Sequence, residues 1–290
     1  MSNNCLITRL KVVVDDDSLP KIRFMEQFTL DAITASGNQN MTTKQKWALN
    51  NFFYGIGAID NSGPFSKIDH LFIPFISNDN LDYAFVDYKN NERIILPDTS
   101  KEALSFRNKG VICVVEGVNV IATIDAAYER YSDNMSVGVF CTEKNKTFGG
   151  FRNGDSTQGT AEFFMNVQSG DTPSWIGATA SYKLGSNPSN VTRYRYSGGD
   201  LRLDGFIYNC INQNINFYQY RDGILVPQTL EQDNFVHYKT SPYRLRINIQ
   251  TSTLENTAAI GLLFVGEPLS ESEITIMKDE VALLKTAFVN

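Results

Sequence analysis

The segment 214–227, NINFYQYRDGILVP, constrains the fold more than any other part of the sequence. β-Branched and aromatic residues precede Asp222-Gly223, and an apolar run begins again at Ile224. An Asp-Gly pair between two strand-prone runs is typical of a hairpin with a two-residue type I′ turn. That turn needs positive φ at both central positions, which Asp tolerates and Gly adopts freely. The segment therefore predicts an antiparallel hairpin.

Many other short runs resemble strands and are separated by turn-forming residues. The runs are LDYAFVDY, ERIILP, GVICVVEG, NVIATIDAAY, MSVGVFCTE, EFFMNVQ, WIGATASYK, TRYRYSG, GFIYNCI, YRLRINIQT and AAIGLLFVG. Such spacing, with little helical periodicity between the runs, predicts an all-β sandwich or barrel. The last run is almost wholly apolar, as expected for a strand covered on both faces.

Two segments have helical periodicity instead. In 42–57, TTKQKWALNNFFYGIG, one helical face carries Leu49, Phe52, Phe53 and Ile56. Thr42 or Thr43 can cap the start of this helix, and Gly55 or Gly57 can end it. Trp47 is expected in the core.

The second helix follows Pro268, where Ser270 and Glu273 have the spacing of a capping box. An apolar stripe then repeats at intervals of three and four residues: Ile274, Met277, Val281, Leu284 and Phe288. This pattern predicts an amphipathic helix that packs on the sheet.

These patterns divide the chain into three parts. Residues 1–30 are expected to be an extended arm or docking strands, residues 31–79 a helical lead-in, and residues 80–290 the β-sandwich with its final helix. Within this first part, the run CLITRLKVVV (residues 5–14) predicts a strand, and residues 21–30 are expected to form a second extended segment. The pair is either an arm that docks on another chain or an edge hairpin of the same domain. The apolar residues assigned to the arm are Cys5, Leu6, Ile7, Leu10, Val12 and Val14.

Charge and composition exclude some partners. The net charge of −6 and pI of about 5.1 provide no basic surface for nucleic acid. No stretch is apolar enough to span a bilayer, so membrane insertion is not expected. Four scattered cysteines (Cys5, Cys113, Cys141, Cys210) are expected to be free thiols in a reducing cytoplasm, with a disulfide between distant strands as the alternative.

The sequence predicts no catalytic centre, metal site or cofactor. His70 and His237 each lack a nearby partner with metal-ligand spacing, and a structural or surface role is expected for both. The run Asp15–Asp17 lacks the spaced ligands and the glycine of a calcium loop. No strand carries the alternating acids of a glycan hydrolase, and nucleophile-elbow and phosphate-binding motifs are absent. On these grounds the chain is expected not to be an enzyme.

Aromatic and amide side chains are the remaining candidates for ligand contacts. They are Tyr194, Tyr196, Tyr218, Tyr220 and Asn216. Stacking combined with amide hydrogen bonds is the chemistry of sugar binding and also of polar protein interfaces. Ordinary cross-strand pairing on a sheet face is the alternative explanation.

The order of these features resembles LamG-like, concanavalin-type jelly-roll proteins encoded by tailed phages and prophages of gut bacteria. The matching segments are ITASGNQNMTTKQKWALNNFF, GPFSKIDHLFIPFI, INFYQYRDGILV and AAIGLLFVGEPLSESEITIMKDEVALLKTA. The similarity covers roughly Ile33 to Phe288. The N-terminal CLITRLKVVVDDDSLPKI is similar to the short leader of crAss-like phage virion proteins.

The resemblance implies a fold and a role. It implies an antiparallel jelly-roll sandwich in a virion structural protein, of the head or tail fibre or decoration type. Such a protein would form a homo-oligomer, contact other virion proteins through its arm and touch host-surface polysaccharide. The virion is then its expected location. The alternatives are a lectin-like carbohydrate-binding module and, third, a polysaccharide-degrading enzyme. No residue here matches the family's calcium ligands or catalytic acids.

Overall fold

A computed structural model describes residues 25–94, 96–115, 136–143, 206, 208, 210 and 259–289 in full, and elsewhere the backbone of the strands given below. The described helices are α1 (Gln27–Ala35), α2 (Thr43–Gly55), α3 (Gly63–Lys67), α4 (Asp98–Glu102) and α5 (Glu271–Phe288). A short 3₁₀ turn covers Pro74–Ile76.

The first strands lie before, between and after the first four helices along the chain. They are β1 (Val13–Val14), β2 (Pro20–Lys21), β3 (Ile68–Phe72), β4 (Val86–Asp87), β5 (Glu92–Arg93), β6 (Leu104–Arg107), β7 (Gly110–Cys113), β8 (Asn119–Tyr128) and β9 (Met135–Cys141).

The second half of the chain adds strands up to the last helix. They are β10 (Phe151–Asn153), β11 (Ala161–Val167), β12 (Ile176–Tyr182), β13 (Val191–Tyr196), β14 (Phe206–Ile211), β15 (Phe217–Arg221), β16 (Ile224–Pro227), β17 (Thr229–Gln232), β18 (Tyr243–Gln250) and β19 (Ile260–Gly266).

The strands pair into two larger sheets and two small ones. The larger sheets have the orders β16-β15-β14-β9-β19-β3-β4-β5, with β7 paired to β19 and β6 to β7, and β10-β11-β12-β13-β17. β1 pairs with β2, and β8 pairs with β18. Every pairing in the described part of the chain is antiparallel, so the predicted antiparallel β class is confirmed.

The hairpin at 214–227 forms as predicted. Arg221 lies opposite Ile224 in the β15–β16 pair, which leaves a two-residue connection. Asn108 and Lys109 make a second connection of this length between β6 and β7, and both residues have positive φ. Positive φ at both central positions is the geometry of a type I′ turn, which suits the twist of paired strands.

The two predicted helices are also confirmed, including their starts. The Thr42 hydroxyl accepts the backbone N–H of Gln45, and the Gln45 side chain accepts the backbone N–H of Thr42. Ser270 and Glu273 make the same reciprocal pair at the start of α5. These bonds satisfy N–H groups that have no partner inside the helix.

One hydrophobic core joins the helices to one face of the large sheet. All five residues of the predicted stripe on α5 are buried. They share a cluster with the apolar face of α2 and with residues of β3, β14 and β19. α2 and α5 approach closely, since a β-carbon added at Gly55 would overlap the Glu280 side chain. Every residue of β19 is buried, in agreement with its apolar sequence.

Tyr208 connects the sheet to the start of α5. Its hydroxyl accepts the backbone N–H of Leu269 at 2.6 Å, and the residue is 0% exposed. Burial raises the pKa of the Tyr208 phenol well above its ordinary value, so the group stays neutral. On the sheet, Gly138 lies opposite both Tyr208 and Phe264, whose rings stack with centroids 6.2 Å apart.

Some local predictions are wrong. Gln27–Leu30 was expected to be extended but belongs to helix α1. Of the expected strand LDYAFVDY only Val86–Asp87 is a strand. Trp47 is half-buried on α2, so the expectation of a core position is met only in part.

Candidate functional site

Among the described side chains, the buried polar cluster that contains a histidine is centred on Asp87 at the β3–β4 pair. Its Oδ1 accepts the backbone N–H groups of Leu71 (3.1 Å) and Lys89 (3.0 Å). Its Oδ2 accepts from His70 Nδ1 and from Asn90 Nδ2, each at 2.7 Å. A carboxylate has about four acceptor positions, so these four donors satisfy Asp87 fully although it is 0% exposed.

The carboxylate fixes the orientation of His70. The imidazole must carry a hydrogen on Nδ1 to donate to Asp87, so the pair selects either that tautomer or the doubly protonated ring. The His70 ring also stacks on Phe72, with an angle of 7° between the ring planes. A carboxylate-oriented histidine of this kind serves as an acid or base where a substrate reaches Nε2, and as a structural pair where none does.

Lys89 extends the cluster to the end of α3. Its Nζ donates to Asn61 Oδ1 at 2.7 Å and to the Phe65 carbonyl at 2.8 Å, and it lies 4.2 Å from the Phe65 ring centroid. Burial lowers the pKa of Lys89, and the negative charges of Asp69 and Asp87 oppose this shift. Bonds to the carbonyl and the ring hold the ammonium in place.

The bonds around Asp87 join β3, β4, the 88–91 turn and α3, which is the arrangement of a structural clamp. In the part of the chain described with side chains, no group of three or more His, Cys, Asp or Glu residues could hold a metal ion. The partner of His70 is not visible in the sequence, because the two residues are 17 positions apart and meet only through strand pairing. The apolar neighbours of Asp87 in FVDY were the available indication of burial.

The predicted ligand residues lie on two different sheets. Tyr194 and Tyr196 are in β13 of the five-stranded sheet, opposite Ala178 and Ile176 of β12. Tyr218 and Tyr220 are in β15 of the large sheet.

In that sheet Tyr218 lies opposite Cys210, and Tyr220 lies opposite Tyr208. Cys210 and Tyr208 are both buried. The two pairs of tyrosines therefore do not belong to one row of side chains, and Asn216 lies outside the described residues. Their role as ligand contacts stays a prediction.

Most residues of the predicted N-terminal arm lie outside the described part of the chain. Val14 ends β1, which pairs with β2 through Val14 and Pro20. Cys5, Leu6, Ile7, Leu10, Val12 and also His237 lie outside the described residues.

The described cysteines are buried thiols: Cys113, Cys141 and Cys210. Burial, with the nearby charge of Glu143, raises the pKa of Cys141 to about 12, so this thiol is unreactive at neutral pH. No helix in the described residues has the length and hydropathy needed to cross a membrane.

No protein-family model and no curated protein matches the sequence. Among solved structures, the chain is similar to Trypanosoma rangeli sialidase in complex with sialic acid, with 12% identity and a TM-score of 0.42. The match covers 95% of this chain and 44% of the sialidase, so the chain spans less than half of that protein.

Two further structures are similar. One is domain 4 of AbnA, a GH43 extracellular arabinanase from Geobacillus stearothermophilus, in complex with arabinotriose. It has 14% identity and a TM-score of 0.41, and the match covers 73% of this chain and 98% of that one. The binding domain of botulinum neurotoxin DC in complex with SialylT has 14% identity and a TM-score of 0.28, over 57% and 40%. All three proteins are carbohydrate-binding or carbohydrate-active.

These comparisons correct one prediction. The sequence was expected to encode a protein that is not an enzyme, whereas the similar structures include a sialidase and a domain of an arabinanase. That expectation is wrong. At these identities and TM-scores the similarity assigns no activity to this chain.

Proposed function

We propose that this protein is a structural component of a tailed-phage virion with a LamG-like, concanavalin-type jelly roll. In this proposal it assembles as a homo-oligomer through its N-terminal arm, binds other virion proteins and contacts polysaccharide on the host surface.

The observation that carries the proposal is the order of features along the chain. A capped helix, a Pro-punctuated strand, an Asp-Gly hairpin, an apolar strand and a final capped helix follow one another as in the phage proteins. Four elements at the corresponding positions support it: α2, the β15–β16 hairpin, β19 and α5. The packing of α2 and α5 on one face of the sheet further supports a sandwich with helical additions at both ends.

Particle proteomics tests the virion role. Tryptic peptides of this chain are expected in gradient-purified phage particles from the source culture, at a fixed ratio to the major capsid protein. Their absence from particles in which the capsid protein is well covered would overturn the proposal.

Light scattering after size-exclusion chromatography tests the arm. The full chain is expected to be oligomeric, and a variant with Leu6→Asp and Leu10→Asp is expected to be monomeric, because charges would disrupt an added strand. Equal masses for the two proteins would exclude assembly through the arm.

A glycan array tests the contact with polysaccharide. Binding that is lost on Tyr194→Ala or Tyr196→Ala would favour the lectin-like alternative, in which these tyrosines stack on sugar rings. An array without any bound glycan would leave assembly as the remaining role.

A further inference from the structure

Strand β6 (Leu104–Arg107) has a neighbouring strand on one side only. It pairs with β7, and β7 pairs in turn with β19. Of the strand pairings in the described part of the chain, none uses the other side of β6. That side is therefore an edge of the large sheet, which we call the free edge of β6.

The backbone groups on the free edge follow from the turn between β6 and β7. In a hairpin with a two-residue connection, the residues that flank the turn are hydrogen-bonded, so the N–H and C=O of Arg107 point toward β7. Ala103 bonds on the same side, since its carbonyl accepts the Val114 N–H at 2.9 Å. Bonded positions alternate along a strand, so Leu104 and Phe106 direct their N–H and C=O groups outward. Among the described residues, these outward groups have no hydrogen-bond partner.

The free edge of β6 lacks the features that protect sheet edges from other strands. Short length, charged side chains and proline are the usual protection. β5, at one end of the same sheet, has only two residues, the exposed and charged Glu92 and Arg93. β6 has four residues, with the half-buried ring of Phe106 among them. Its one charged residue, Arg107, is held by Glu143, which accepts from Arg107 Nε at 2.8 Å.

The N-terminal arm has a sequence that suits this edge. Residues 5–12, CLITRLKV, precede β1 and contain β-branched and long apolar residues without glycine, proline or an acid. Eight extended residues reach about 26 Å, which is more than a four-residue edge requires. Arg9 and Lys11 make the segment positively charged. The exposed Glu102 lies close to the start of β6 and makes no ion pair with the described side chains.

We propose that residues 5–12 of one copy add a strand to the free edge of β6 in a second copy. The proposal rests on the assembly through the arm proposed above, and it names the surface that receives the arm. Main-chain bonds to Leu104 and Phe106 hold the added strand, and the Phe106 ring packs against its apolar residues. The charge of Glu102 attracts Arg9 and Lys11 to this end of the sheet.

Cross-linking of mixed copies tests the proposal without any substitution. Full-length protein labelled with heavy nitrogen is mixed with unlabelled protein, left to exchange subunits and treated with an amine-reactive cross-linker. Lys101 and Lys109 flank β6, and Lys11 lies in the arm. Mass spectrometry is expected to find Lys11 of one isotope joined to Lys101 or Lys109 of the other. Same-isotope links alone, or links from Lys11 only to lysines elsewhere, would overturn the proposal.

A pair of substitutions at Phe106 tests the main-chain bonds. Phe106→Pro removes the outward N–H but no bond to β7, and should raise the dissociation constant of the oligomer by a factor of about ten or more. Phe106→Val keeps the N–H and should raise it by a factor of about three or less, because only side-chain contact is reduced. Analytical ultracentrifugation over a range of protein concentrations measures both constants.

Arg93→Pro is the matched control on another edge of the same sheet. The Ile94 N–H donates to the Phe85 carbonyl, so the N–H of the preceding residue, Arg93, points away from β4. Its removal should leave the dissociation constant unchanged. Equal melting temperatures would show that the three variants are folded; if Phe106→Pro melts early, the cross-links of the unchanged protein decide.

Unchanged association of the folded Phe106→Pro variant, or an equal loss in Arg93→Pro, would overturn the proposal. If association is lost with Leu6→Asp and Leu10→Asp but kept with Phe106→Pro, the arm binds another surface, so this site fails while the proposed function stands. A monomeric full chain would instead contradict assembly through the arm itself, and the particle assay is independent of both.

Discussion

Two buried tyrosines allow the contribution of a tyrosine hydroxyl and its hydrogen bonds to stability to be isolated. Tyr208 and Tyr88 are 0% and 4% exposed, and both rings belong to the core between the sheet and the helices. The Tyr208 hydroxyl accepts the Leu269 N–H at 2.6 Å, whereas the Tyr88 hydroxyl has no hydrogen-bond partner in the described part of the chain. Replacement by phenylalanine removes the same atom from each.

The two substitutions should change stability in opposite directions. Tyr208→Phe leaves a buried backbone N–H without an acceptor, which typically costs about 1–3 kcal/mol. Tyr88→Phe removes a hydroxyl that is buried without compensation, so we expect the free energy of unfolding to rise by up to about 1–2 kcal/mol. The variants should therefore differ by about 2 kcal/mol or more.

Guanidinium denaturation followed by circular dichroism measures both values. The slope of the free energy of unfolding against guanidinium concentration should be unchanged. This result would show that the substitutions act on the folded state rather than on the surface exposed by unfolding. In thermal melts, each kcal/mol corresponds to about 2–4 °C for a domain of 150–250 residues. Equal stabilities for the two variants, or a more stable Tyr208→Phe, would refute the assignment of this bond as the connection between β14 and α5.

Three further predictions use the same measurements. Gly138→Ala should destabilise the protein by about 1–3 kcal/mol, because the added methyl group would overlap the buried ring of Phe264. Asp87→Asn should also destabilise it, by about 1–3 kcal/mol, since an amide cannot accept from all four donors around that position; unchanged stability would remove the clamp interpretation. Burial, and to a lesser extent Asp279, raises the pKa of Glu280, so folding favours its protonated form. The contribution of Glu280 to the free energy of unfolding is fully present below the pKa of the unfolded state, near 4.5, and is lost as the pH rises through the pKa of the folded state. Glu280→Gln should therefore be slightly stabilising at about pH 7 and neutral at about pH 3.

Elements specified by short-range patterns could be predicted from the sequence. The capping boxes at Thr42 and Ser270 and the Asp222-Gly223 hairpin each depend on residues within four positions of one another. Helix α1 lacks such a pattern. Its N-cap, Glu26, makes no side-chain cap, and the Glu26 backbone N–H donates instead to Asn50 of α2. A helix start that depends on a residue 24 positions away is not visible in a local pattern.

In the candidate sites, too, local features could be predicted from the sequence and features set by distant contacts could not. The alternation of tyrosine and arginine within 191–196 was visible in the sequence, and the segment forms strand β13. The assignment of β13 and β15 to different sheets was not, because strand order is determined by contacts distant in sequence. The Asp87–His70 pair was missed for the same reason.

The position of β19 has a consequence for how the chain reaches this structure. β19 lies between β9 and β3, and Phe264 of β19 is opposite Leu71, roughly 190 residues earlier in the sequence. On a ribosome, β3 and β9 would emerge long before the strand that separates them. Their exposed edges would then be open to wrong partners, and closure of the large sheet would come late and be slow. A chain truncated before residue 259 is therefore expected to aggregate rather than to fold into a smaller domain, and chaperone dependence during synthesis should end once β19 has left the exit tunnel.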